Sequence, residues 1–203
     1  MPWLLNEDAA MRRKLQGLTV IDGALELPVG VRFSLPESEL ADQTFPLIVI
    51  ERTRAERDAR REFRGRVQLG YAPEGSKPWA DMADPSASPY FTDNPIPYLI
   101  DYQVTVMARK QSHITELTAK LAAVEFLPVR FGYLEIPEDA TIRSMELSGG
   151  PEFHTGWDEY RKRLFQVAYL VQITSEVLGT VYEPKKAEKV ITNVGDTQAP
   201  WPS

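Results

Sequence analysis

The chain contains no cysteine. That excludes disulfides, thiolate metal sites and cysteine nucleophiles, and fits a reducing compartment. Histidine is nearly absent too: His113 falls at a predicted helix start and His154 in a predicted loop. Neither has the paired spacing of a motif such as HExxH, so both read as ordinary surface or structural residues. No apolar run approaches the roughly 20 residues that span a bilayer. The start, Met1 to Asp8, lacks the basic region and apolar stretch of a leader, so the expectation is a soluble chain without a recognisable export signal. There is no internal repeat and no low-complexity tract. No serine sits in a GxSxG elbow. The stretch Gly70 to Lys77 spaces its glycines like a phosphate loop, but it ends Ser76-Lys77 in the wrong order. Pro73 also removes an amide the loop would need. Glu135, Glu138, Asp139, Asp158 and Glu159 are acidic without forming an acid/base motif.

What remains is scaffold. The 203 residues suit one domain with extensions or two small ones, and 43% hydrophobic residues support a core over part of that length. A net charge of −6 does not describe a general nucleic-acid binder. Sixteen prolines gather at 73–97 and at the C-terminus, which predicts long arms. The best-specified stretch is 96–124. Ile100, Tyr102, Val104 and Val106 alternate with Asp101, Gln103 and Thr105, a period of two that predicts a half-buried strand. Ile114, Leu117, Leu121 and Val124 then recur at helical spacing, with Ser112 placed as an N-cap and Glu125 to Pro128 closing the helix.

Elsewhere, Asn6 is positioned to cap a helix running to about Gln16, with Met11, Leu15 and Leu18 on its apolar edge and Gly17 at its end. Residues 19–35 read as one or two short strands. Phe45 to Ile50 reads as an inner strand, apolar on both faces, with Pro46 at its start. Val67 to Tyr71 is a further strand candidate. Val129 to Ile136 is predicted as a strand with Val129, Phe131 and Tyr133 sharing a face. Ile142 to Leu147 predicts another, ending at Gly149-Gly150-Pro151, followed by a polar loop over 152–163. Leu164 to Glu176 predicts a long strand with Phe165, Val167, Tyr169, Val171 and Ile173 on one face. Val190, Ile191 and Val194 form a last strand candidate.

The segment 51–66 carries seven arginines, among them Arg52, Arg54, Arg57, Arg60 and Arg61, interleaved with four acids. It reads as a solvated strand or helix face, or as a charged seam against an acidic neighbour such as a second copy. DNA contact ranks third, because the acids repel phosphate. The proline-bearing arm also holds aromatics, Trp79, Tyr90 and Phe91, which argue for docking rather than simple disorder.

Three stretches together resemble the small neck and tail-completion proteins of tailed bacteriophages, the tail-terminator and sheath-end group of contractile tails. They are Phe45 to Thr53, Ile96 to Val104 running into the helix, and Tyr160 to Tyr169. The resemblance spans 45–178; the arm 72–95 and the tail after 178 have no counterpart in it. It implies an α+β fold, a mostly antiparallel sheet with one or two packed helices plus extended arms. The domain would run over 1–178, with its core at 45–71 and 96–178 and an inserted arm at 72–95, and 179–203 would be a C-terminal arm. It further implies a ring, usually of six copies, at the head-proximal end of a tail tube or sheath. Such a ring ends polymerisation and meets the head connector. No catalysis and no cofactor are implied, DNA would only pass through the lumen, and the location would be the virion after assembly in the host cytoplasm. Candidate subunit contacts are the five arginines named above, the aromatics Trp79, Tyr90 and Phe91, and Val190 with Ile191. An α+β enzyme with carboxylates assembled in space, or a small DNA- or ligand-binding module, is the alternative.

Overall fold

The structure, a computed structural model, describes residues 3–33, 44–63, 68–71, 90–123, 125–139, 141–157, 161–177 and 181–182. The fold is α+β, with two helices and a mostly antiparallel, curled sheet. The chain divides into two compact units, Met1–Arg66 with Asn94–Gly179, and Val67–Asp93 with Thr180–Ser203.

The first unit begins with helix α1 (Trp3–Leu15) and a two-stranded hairpin, β1 (Thr19–Asp22) and β2 (Leu25–Pro28). Its main sheet has the order β3-β4-β7-β10-β9-β8. The strands are β3 (Gly30–Phe33), β4 (Leu47–Arg57), β7 (Ile96–Ala108), β8 (Gly132–Ile136), β9 (Thr141–Trp157) and β10 (Arg163–Val177). Only β3 and β4 run parallel. In the second unit, β5 (Gln68–Tyr71), β6 (Tyr90–Asp93) and β11 (Val181–Tyr182) pair antiparallel in the order β11-β6-β5. Trp79, Val190 and Ile191 lie outside the described residues, as do most of the arm 72–95 and of the tail after 178. Tyr90 and Phe91 lie in β6.

The alternation read from the sequence sets the core. On β7, Ile100, Tyr102, Val104 and Val106 are buried. On β10, so are Val167, Tyr169, Val171 and Ile173. The register aligns the two sets, with Val104 opposite Tyr169 and Ile100 opposite Ile173. Helix α2 (Gln111–Leu121) covers this face with Ile114, Leu117 and Leu121. Each such side chain contributes about 1.5–3 kcal/mol by leaving water. From α1, Met11 and Leu15 join the same core, and Gly17, at φ +85°, turns the chain out of the helix. Inner strand β4 buries Leu47, Ile48 and Ile50 between β3 and β7.

Five local expectations are corrected. Helix α1 starts at Trp3, so Asn6 is a buried residue within it and not its cap. The Trp3 indole donates to Ser175 Oγ at 2.8 Å, which ties the first turn to β10. Helix α2 starts at Gln111 behind Lys110, so Ser112 is an exposed helical residue, and the helix already ends at Leu121. Residues 19–33 hold three strands. Strand β8 begins at Gly132 and has the opposite phase: Gly132, Leu134 and Ile136 point inward. Val129, Phe131 and Tyr133 are exposed, Phe131 at 91% and with φ +59°. A slip of one residue turns every side chain to the other face. Gly132 fixes the phase, since a Cβ there would lie 2.6 Å from the Met145 carbonyl oxygen and 2.8 Å from Pro128.

The largest correction concerns β9. Gly149-Gly150-Pro151 does not end the strand, and 152–157 is not a loop. The glycines form a bulge, where the register against β10 shifts around Leu170, and pairing resumes from Glu152 opposite Ala168 to Trp157 opposite Arg163. Bulges absorb an extra residue while the strand continues, and they accommodate proline.

Candidate assembly surface

Two of these strands outrun their neighbours. Among the described residues, β3 flanks β4 from Leu47 to Ile50. β4 continues from Glu51 to Arg57, paired among the described residues with β7. All seven are exposed among the described residues, and the Arg52 side chain reaches Asp8 of α1. The arginine segment thus begins as strand. On the other border, β8 flanks β9 only from Thr141 to Met145. Residues 149–157 of β9 are held by β10 alone, and among the described residues no strand covers that edge.

On the β4 edge, Arg52 Nη1 lies 2.8 Å from Asp8 Oδ2. Arg54 pairs with Glu56, and Arg57 with Glu62. In the turn after β4, Arg61 Nε meets Asp58 Oδ2 at 2.7 Å, and the Arg60 amide donates to Asp58 Oδ1 at 3.0 Å. The hydrogen bond from Arg61 holds the Asp58 carboxyl below the usual aspartate range, and the bond to Glu62 raises Arg57. The five predicted arginines therefore lie on one strand or its turn; the side chains of Arg52, Arg54, Arg57 and Arg61 each pair with an acid of the same chain, and Arg60 meets Asp58 through its backbone amide. Exposed pairs of this kind contribute only about 0–1 kcal/mol and exchange partners readily.

The β9 edge went unseen in the sequence because its composition reads as a polar loop. It carries Glu152, Phe153, His154 and Trp157, with the two aromatics 63% and 72% exposed. Phe153 opposite Val167 and Trp157 opposite Arg163 put both rings on the helix-bearing face. Glu152 and His154 lie on the open face, 3.8 Å apart at their nearest charged atoms. The one available signal was the alternation Phe153-x-Thr155-x-Trp157.

A polar cluster fastens α1 to the sheet. Glu7 and Ser175 are fully buried and Arg143 nearly so. Arg143 Nε lies 3.7 Å from Glu7 Oε1, its Nη1 lies 3.2 Å from Glu176 Oε2, and its Nη2 donates to the Glu176 carbonyl. Ser175 Oγ donates to Glu7. Beside them, the Tyr102 hydroxyl donates to Asp8 at 2.8 Å, and burial, then Asp8, push its pKa far up. At the other end of α1, Arg13 Nη1 lies 2.6 Å from Glu138 Oε1 and Nη2 lies 2.9 Å from Oε2. These groups bind one another across helix and sheet, which holds the scaffold rigid. Among the described residues, no group of three histidines, aspartates or glutamates is placed to hold a metal ion, and no helix is long and apolar enough to cross a membrane.

The Arg13 hydrogen bond draws the Glu138 carboxyl from 4.5 to about 2. A depressed folded-state pKa gives stability that is present above the unfolded value and fades as pH falls through the folded one. Wild type is therefore expected to exceed Arg13→Ala in urea midpoint at pH 7. The gap should narrow below about pH 4.5 and close near pH 2. A gap independent of pH would contradict the linkage.

The fold defines a class: an α+β domain built on a mostly antiparallel sheet in which, among the described residues, one stretch of β4 and one of β9 have no strand on their outer side. No protein-family model matches the chain, and no curated protein matches its sequence.

Proposed function

We propose that the chain is a structural subunit of a phage neck. In this role it forms a ring at the head-proximal end of the tail, ends tube or sheath polymerisation, and joins the tail to the head connector. It acts there by assembly and not by catalysis. The observation that supports it is that, among the described residues, a stretch of β4 and a stretch of β9 on opposite borders of one sheet have no strand on their outer side. A bare edge is a template for another strand, and soluble proteins normally cover or blunt it. Two edges on one subunit serve two neighbours, as a ring requires. The resemblance of 45–53, 96–104 and 160–169 to neck and tail-completion proteins supports the same reading. The DNA-binding alternative is weaker, because the β4 arginines stand beside acids of their own chain.

Electron microscopy of the purified chain is expected to show rings of one diameter, and these rings are expected to bind the end of isolated tail tubes or sheaths. Single particles of monomer size that bind neither tube, sheath nor connector would overturn the proposal.

A further inference from the structure

The two bare edges differ in chemistry. Residues 51–57 of β4 hold three arginines and two glutamates and no aromatic ring. Residues 149–157 of β9 hold two exposed aromatic rings, one glutamate and one histidine, and neither lysine nor arginine. With histidine neutral, the first edge is one unit positive and the second one unit negative. Guanidinium groups bind both carboxylates and aromatic faces, so each edge offers what the other lacks.

We infer that the β4 edge of one copy pairs with the β9 edge of the next, joining their sheets into one. This inference rests on the self-assembly proposed above and assigns its contact. Three antiparallel pairings separate β4 from β9 within the sheet, so the two strands run in opposite directions. A rotation that carries each sheet sideways onto its neighbour preserves those directions, so the new joint is antiparallel. Side chains on one face then meet one another. On the helix-bearing face, the register with Ala55 opposite Thr155 sets Arg57 opposite Phe153. On the open face, the same register sets Glu56 opposite His154, with Arg54 diagonal to it. Main-chain hydrogen bonds supply the strength of such a joint, and the side chains choose the partner.

A two-fold contact between two β4 edges is the rival. Centred on Arg54, it would match Glu51 with Arg57 and Arg52 with Glu56. It would also set the two Arg54 side chains against each other, and it would leave Phe153 and Trp157 in water. The β4–β9 joint covers both edges at once, and its unlike surfaces generate a ring where a two-fold contact stops at a dimer.

The absence of cysteine gives a clean background for cross-linking. One copy carries Ala55→Cys, and the other carries Phe153→Cys, Thr155→Cys or Trp157→Cys. All four positions lie on the helix-bearing face, and the three partners sample successive face-matched registers. Native mass spectrometry first establishes that each variant assembles as wild type does. Mild oxidation of the mixtures is expected to give covalent dimers with at least one of the three partners and none in any single variant alone. Dimers from Ala55→Cys alone, or intact rings with no cross-link in any mixture, would overturn the pairing while leaving the ring itself standing. A wild-type chain that stays monomeric would overturn both.

Discussion

Replacing Arg143 by methionine is expected to lower the unfolding free energy by about 3–5 kcal/mol. The reason lies in what stays behind. Glu7 is a fully buried residue of α1, and Arg143 is a cation beside it. Without the guanidinium, a carboxylate in a low-dielectric interior loses that charge, and the hydrogen bond from Ser175 is a neutral one. Glu176 loses the same partner but is partly exposed, and water takes over much of its solvation. The double variant Glu7→Leu, Arg143→Met removes both charges of the buried pair and is expected to regain most of the loss, since a buried ion pair adds little net stability over apolar residues of similar size. Urea unfolding of wild type, both single variants and the double variant measures this directly. A single-variant loss below about 1 kcal/mol would mean that the cluster is not the clamp on α1.

Gly150→Ala is expected to cost about 2–4 kcal/mol, from left-handed backbone strain together with overpacking. Gly150 has φ +92°, and a Cβ there would sit 2.5 Å from the Ala168 carbonyl oxygen and 3.0 Å from Tyr169 Cα. Both neighbours are backbone of β10 and cannot swing aside. Gly156 lies on the same strand six residues on, with nothing within 4 Å of an added Cβ. Gly156→Ala is accordingly expected to stay within about 0.5 kcal/mol of wild type. The contrast separates the bulge from the strand beyond it. Because Gly150 lets β9 continue to Trp157, its substitution should also increase amide exchange over 152–157. Equal unfolding midpoints for the two variants would contradict the bulge geometry.

The scaffold was legible where one physical rule acts alone. Strict alternation over Ile100 to Val106 and over Val167 to Ile173 announced two half-buried strands, and the stripe Ile114, Leu117, Leu121 announced the helix that covers them. Reading failed where tertiary contacts decide. Val129, Phe131 and Tyr133 alternate as a core face would, but Gly132 has to pass beneath the Met145 carbonyl, and that contact reverses the strand. Gly149-Gly150-Pro151 has the composition of a turn, and only the register against β10 shows a bulge. Trp3 extends α1 by a turn because its indole meets Ser175, a residue 172 positions away that no local pattern can supply. The candidate surface was half visible. The arginine run reads in sequence as a solvated face or a charged seam, and that its first residues are strand depends on pairing with β7, which no local pattern supplies. The aromatic edge at Phe153 and Trp157 was hidden inside a stretch whose glycine, glutamate and histidine read as loop.

The central claim is that this chain is a self-assembling subunit whose function lies in its own edges. Native mass spectrometry of the wild-type chain across a hundredfold range of concentration tests it most directly. The account predicts one closed oligomer, a whole-number multiple of the 23.0 kDa chain, that persists unchanged as the concentration rises. A monomer at every concentration would contradict it.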